Sequence, residues 1–149
     1  MKYLLLLLCF ASISFKSDAS NQKDPSHWTI QAVPLEKNTY RIEFKVHLDP
    51  SWHIWTLNPG GDSRIIAPSF KFNPGNFKLI ERIGEQGMAV EGVLGGFKSP
   101  AYFYQSDAIF TQIVEAKKGI VITGSYTYQI CGNKNSLPSV TKPFKVKMP

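Results

Sequence analysis

The sequence predicts an all-β protein, an immunoglobulin-like antiparallel β-sandwich. Three observations carry this. One segment alternates strictly between apolar and polar residues, several further short β-rich segments follow with turn residues between them, and no window keeps a helical period over three turns.

The alternating segment runs from Tyr40 to Leu48. Tyr40, Ile42, Phe44, Val46 and Leu48 fall on one face and Arg41, Glu43, Lys45 and His47 on the other, which is the pattern of a half-buried strand. The β-rich stretch His27 to Leu35 precedes it, and Lys37-Asn38 supplies turn chemistry between the two, so a hairpin is expected. Asp49-Pro50 ends the second strand.

Further strands are predicted at Trp52 to Leu57, Ser69 to Phe72, Phe77 to Ile83, Tyr102 to Val114, Gly119 to Ile130 and Val140 to Met148. The clearest breaks are the runs beginning Asn58-Pro59-Gly60, Asn73-Pro74-Gly75, Lys117-Lys118-Gly119 and Gly132-Asn133-Lys134. Gly84 to Pro100 departs from the pattern. It holds Gly84, Gly87, Gly92, Gly95 and Gly96 with Val90, Val93, Leu94 and Phe97 among them, and reads as a mobile loop whose apolar side chains dock on their own domain or on a partner.

The first residues bound the location. Met1-Lys2-Tyr3 leads into an apolar run from Leu4 to Phe10, then into small residues, which is an export signal with cleavage expected after Ala19. The run is too short for a membrane anchor, and Cys9 within it is expected to be discarded with the leader. Residues 20–149 then form one domain, expected in the periplasm with no membrane anchor. Without the leader the 17 basic and 11 acidic residues become 15 and 10. The lysines are spread singly, apart from Lys117-Lys118 and the group Lys142, Lys145 and Lys147. They read as a solvated surface, and no nucleic-acid partner is expected.

An exported domain sits in an oxidising compartment, yet this one retains a single cysteine, Cys131. Such an odd thiol implies intermolecular pairing, a reactive role or a relic. The strand ending at Ile130 places Ile120, Ile122, Tyr126, Tyr128 and Ile130 on one face and Cys131 on the other parity. Cys131 is therefore expected exposed at a strand end, with Lys134 the one cation in its loop.

In these segments the chain resembles the periplasmic N-terminal domain of the thiol:disulfide interchange protein DsbD, the disulfide bond corrector domain family. The resemblance rests on Trp52-His53 after Asp49-Pro50, the Pro59-Gly60-Gly61 turn, Phe110-Thr111-Gln112, and Thr127-Tyr128-Gln129-Ile130-Cys131 leading to Leu137-Pro138. It implies an immunoglobulin-like sandwich that takes electrons from a thioredoxin-like domain and passes them to oxidised periplasmic proteins. It also implies a second cysteine, four or five residues after the first and ahead of the Leu-Pro step. Here Ser136 stands at that position, so the spacing is kept and the sulfur is lost. A two-sulfur relay needs one thiol to form the mixed disulfide and another to resolve it, and Ser136 does neither. The family further covers its cysteines with a cap loop bearing an acidic and an aromatic residue, for which Glu91, Leu94 and Phe97 are the counterparts.

No cofactor is expected. His47, His53 and Cys131 carry donors suited to zinc or copper, but they lack the short paired spacing of a metal site, and a Cys-His hydrolase would need an orienting group the sequence does not supply. Trp28, Trp52 and Trp55 read as packing residues. Two readings follow: a one-cysteine relative that docks thioredoxin-like or oxidised periplasmic proteins, and a non-enzymatic immunoglobulin-like binding or scaffold module. A disulfide-linked dimer through Cys131 is a further possibility.

Overall fold

The computed structural model describes residues 23–149; the predicted leader, with Cys9, lies outside the described residues. Ten strands follow in order: β1 Ser26–Pro34, β2 Thr39–Leu48, β3 His53–Trp55, β4 Ser69–Phe72, β5 Phe77–Leu79, β6 Gly84–Gly92, β7 Ala101–Ala116, β8 Val121–Tyr128, β9 Ile130–Cys131 and β10 Val140–Lys147. They form two layers of antiparallel strands, one seven-stranded and one three-stranded, which is the predicted sandwich. Among the described residues no helix is long and apolar enough to cross a membrane.

β1 and β2 are the expected hairpin, running from Ser26 opposite Leu48 to Pro34 opposite Tyr40. Its turn puts Lys37 and Asn38 at φ 35° and 64°, a left-handed bend that asparagine tolerates well. β7 is the spine of the larger layer. One side pairs with β2 and β3, the other with β5 and β6. The smaller layer is β10, β8 and β4. Between the layers lie Ile42, Phe44, Phe110, Ile122 and Tyr128, each fully buried. Burial of a side chain of this size stabilises by roughly 1.5–3 kcal/mol. Phe44 meets Phe70 at 4.6 Å and Phe144 edge-on at 5.0 Å between centroids, so residues of β2, β4 and β10 interlock.

Two expectations are corrected. The glycine-rich stretch Gly84 to Pro100 is a mobile loop only on composition. Its first half is strand β6, held along β7 with one irregularity between Gly87 and Ala89, and only residues 93–100 are loop. The glycines sit where β6 passes aromatic side chains: a Cβ on Gly87 would lie 2.7 Å from the Tyr104 ring, and one on Gly92 would lie 3.3 Å from Phe103. The second correction concerns Cys131, which is 1% exposed rather than at an open strand end. The predicted strand Gly119 to Ile130 breaks at Gln129, where the chain leaves the smaller layer and enters the larger one as β9. Parity counted along β8 therefore does not carry through to Cys131.

A polar clasp ties the first described residues to the smaller layer. Asp24 accepts hydrogen bonds from the Tyr128 hydroxyl, from Lys142 Nζ at 2.6 Å and from the Ser26 backbone N–H at 3.0 Å; Trp28 Nε1 donates to Ser26 Oγ at 3.0 Å. Burial pushes the Asp24 carboxyl up, but the bonds from Lys142, Ser26 and Tyr128 outweigh it and hold the group below the usual carboxylate range. A carboxyl whose folded pKa is depressed adds stability above its unfolded value, and that share is lost as pH falls through the folded value. Asp24→Asn is therefore expected to lower the urea midpoint at neutral pH. The gap to the unaltered protein should narrow once the pH falls below about 4. A gap of constant size across that range would show that the carboxylate charge contributes nothing.

Candidate functional site

The site is built where β3, β9 and the loop after β6 meet. β9 pairs with β3, His53 facing Cys131 and Ile54 facing Ile130. From Cys131 the chain turns through Gly132, Asn133, Lys134 and Asn135, then Ser136 comes back to face Cys131 in an antiparallel bridge. Gly132 N donates to Asn135 O at 2.8 Å and Leu137 N to Ile130 O at 2.9 Å. These two bonds bracket the facing residues, so Cys131 and Ser136 are a non-hydrogen-bonded cross-strand pair, the kind whose side chains stand closest. Ser136 Oγ lies 3.1 Å from Cys131 Sγ.

Residues 93–100 cover this pair. Gly95 N donates to Gly132 O at 3.1 Å, and its carbonyl is 3.3 Å from Ser136 Oγ. The hydroxyl has one proton, so it serves either Cys131 Sγ or Gly95 O at a given moment. Gly95 has φ 61°, and a Cβ there would fall 2.3 Å from Ser136 Oγ. Only glycine permits this approach. Leu94 and Phe97 turn inward, 8% and 9% exposed, and pack with Trp55, Ala101, Phe103 and Cys131 as a small apolar cluster separate from the main core. Phe97 meets Trp55 edge-on with centroids 5.5 Å apart. Outside it, the Arg64 guanidinium lies 5.3 Å from the centre of the Phe97 ring.

Gln129 holds the junction. Its buried side-chain oxygen accepts from Trp55 Nε1 and from the Ile66 N–H, both at 3.3 Å, and its amide nitrogen donates to Leu137 O at 3.3 Å. His53 is 5% exposed and edge-on to Phe103, its Nδ1 3.1 Å from the Cys131 carbonyl. Since a carbonyl only accepts, Nδ1 carries the proton. Burial lowers the His53 pKa, and the bond to Cys131 only partly offsets this, so the ring is neutral at physiological pH.

The predicted site residues thus divide. Cys131, Ser136, Leu94 and Phe97 come together. Glu91 stands apart on β6, exposed and paired with Tyr102. His47 is on the outer face of β2, bound to Asp107 at 2.6 Å, and does not approach His53 or Cys131. Among the described residues no group of three or more His, Cys, Asp and Glu side chains is placed to hold a metal ion. Sequence reasoning assigned Trp55 to ordinary packing and gave Gln129 and Gly95 no role. A polar Gln129 at the end of an alternating strand was the one available signal.

Burial pushes the Cys131 thiol up to about 11, with the Ser136 hydroxyl and Trp55 offsetting part of it. A thiol is nucleophilic only as the thiolate. At neutral pH, alkylation of Cys131 in the folded protein is expected about two orders of magnitude slower than that of a free cysteine, rising with pH past the usual thiol range. Iodoacetamide labelling followed by mass spectrometry across pH measures this. Labelling at the free-cysteine rate would contradict the covered geometry.

No family model matches the chain, and no curated protein matches it. Solved structures do. The N-terminal periplasmic domain of ScsB from Proteus mirabilis aligns with a TM-score of 0.61 at 14% identity, over 85% of this chain and 47% of that one. The N-terminal domain of Neisseria meningitidis DsbD in the reduced form aligns with a TM-score of 0.55 at 13% identity, over 80% of this chain and 84% of that one. The chain thus spans about half the length of the ScsB chain it matches. At these identities the likeness is one of fold.

Proposed function

We propose that the chain is an exported domain of the thiol:disulfide interchange type, acting in the periplasm, that docks thioredoxin-like or oxidised proteins at the Cys131 loop and works with one sulfur. The observation that carries this reading is the facing pair Cys131 and Ser136, 3.1 Å apart under an apolar cover, at the two positions where the resembled pattern has cysteines. The fold shared with the ScsB and DsbD periplasmic domains supports it.

The chemistry is limited by the missing sulfur. Cys131 loses its proton to solvent and attacks a partner disulfide; the partner S–S bond breaks, a mixed disulfide forms, and the partner's second sulfur leaves as a thiolate. Cys131 is oxidised and the released sulfur reduced. A second thiol in the place of Ser136 would then attack Cys131, free the partner and complete a two-electron transfer. Ser136 cannot, so the adduct is resolved by the partner's own thiolate or by an external thiol. Resolution by the partner's own thiolate releases the partner with its disulfide restored and no net reduction; resolution by external thiols releases it reduced, with those thiols oxidised to a disulfide in its place.

The second reading, a binding module without redox chemistry, is favoured by one observation: the thiol is buried and held protonated. The same burial keeps Cys131 of two copies apart unless the cover moves, so a disulfide-linked dimer is a minor form. Trapping separates the readings. Incubation with a thioredoxin-like protein carrying an activated mixed disulfide, followed by non-reducing electrophoresis, is expected to give a covalent adduct that Cys131→Ser abolishes. Binding that survives Cys131→Ser with no adduct from the unaltered protein would favour the second reading.

A further inference from the structure

We infer that Arg64 is a positioning residue that holds the cover shut over Cys131 by clamping Phe97 from outside. The loop between β3 and β4 carries a short Asp62-Ser63-Arg64 turn. Asp62 grips the guanidinium at two points, with Arg64 Nε to Oδ1 at 3.1 Å and a terminal nitrogen to Oδ2 at 3.0 Å, and it also accepts the Arg64 backbone N–H at 3.0 Å. A planar fork held this way keeps little rotational freedom. It is aimed at the Phe97 ring, 5.3 Å from the ring centre, while Trp55 takes the same ring edge-on from below. Phe97 thus sits between a fixed cation and a buried indole, and the backbone at Gly95 closes on Gly132 beside it. Opening the cover has to break the contact with Arg64, which lies on a different loop.

The inference rests on the reading of residues 93–100 as a cover for the thiol. A ring contact made by an exposed cation such as Arg64 contributes enough to shift an opening equilibrium about two- to fivefold. The test is the rate of Cys131 alkylation by iodoacetamide, a neutral reagent, in the full chain at one fixed pH. Arg64→Ala is expected to raise the rate about two- to fivefold. Asp62→Asn, which loosens the grip, should give a smaller rise, and Arg64→Lys, which keeps a cation without the fork, should fall between the unaltered protein and Arg64→Ala. The sign is informative, because loss of a positive charge near a thiol by itself disfavours the thiolate and slows alkylation.

A cycle with Phe97→Leu isolates the route. Phe97→Leu alone should speed alkylation, and adding Arg64→Ala to it should change nothing more, because the ring the cation acts on is gone. The Arg64 side chain is 65% exposed, so Arg64→Ala should shift the urea midpoint by no more than the loss of this one contact, far less than a core truncation would, which excludes general loosening. If Phe97→Leu accelerates alkylation and Arg64→Ala does not, the role of Arg64 is overturned while the cover stands. If neither variant alters the rate, residues 93–100 do not control access and both readings fall.

Discussion

Ser136→Cys is expected to form an intramolecular disulfide with Cys131 under mild oxidation. The reasons are geometric. The two residues face each other as a non-hydrogen-bonded antiparallel pair, flanked by the Gly132–Asn135 and Ile130–Leu137 backbone bonds. Such pairs hold their Cα atoms about 4.5 Å apart, inside the range a disulfide spans without backbone movement. The serine oxygen already stands 3.1 Å from the sulfur, so a short approach brings two sulfurs to bonding distance. The ring closed is small, and restricting it in the unfolded chain should stabilise the oxidised variant by about 2 kcal/mol. Free-thiol titration, intact mass and the shift of the urea midpoint on reduction measure the three parts of this result. A variant that keeps two free thiols after oxidation would mean that the loop does not hold the positions in register.

Trp55→Ala is the substitution with the largest expected loss of stability. Trp55 is 1% exposed, packs edge-on against Phe97 and Phe103, and donates its indole N–H to Gln129. Its removal empties the space beneath the cover and takes one partner from the residue where the chain changes layers. Large aromatic truncations of this kind cost about 3–5 kcal/mol, a large share of the roughly 5–15 kcal/mol that stabilises a typical domain. Chemical denaturation should show that loss, and Cys131 alkylation should accelerate well beyond the change expected for Arg64→Ala, since both the cover and its floor are disturbed. Trp55→Phe, which restores part of the ring contact, should recover part of both. A Trp55→Ala variant as stable as the unaltered protein would mean that the apolar cluster around Cys131 is not a packed element.

The strands were legible because their signal is local. Alternation from Tyr40 to Leu48 places five apolar side chains at the inter-layer face, and the structure has Tyr40, Ile42, Phe44, Val46 and Leu48 buried there. The hairpin turn at Lys37-Asn38 is equally local. What the sequence hid depends on pairing at a distance. Gly84 to Gly92 has the composition of a loop, but β7 offers it a ladder, and its glycines fit beneath the rings of Tyr104 and Phe103. The burial of Cys131 was hidden by the layer change at Gln129, where alternation stops predicting which side faces the core. The pairing of Cys131 with Ser136 was legible only through the family resemblance, which implies a second cysteine at Ser136; the glycine that closes over them, Gly95, was not legible at all, because its role is set by a clearance to Ser136.

The central claim is that the Cys131 loop keeps the geometry of a redox pair and lacks only one sulfur. Its most direct test uses the oxidised Ser136→Cys variant and measures how fast a reduced thioredoxin-like protein reduces the introduced disulfide, compared with a small dithiol at equal thiol concentration. The account predicts a protein-accelerated, second-order reduction, because the loop and its cover still present the disulfide to a docking partner. A disulfide that forms normally but is reduced no faster by the protein than by the small dithiol would contradict it.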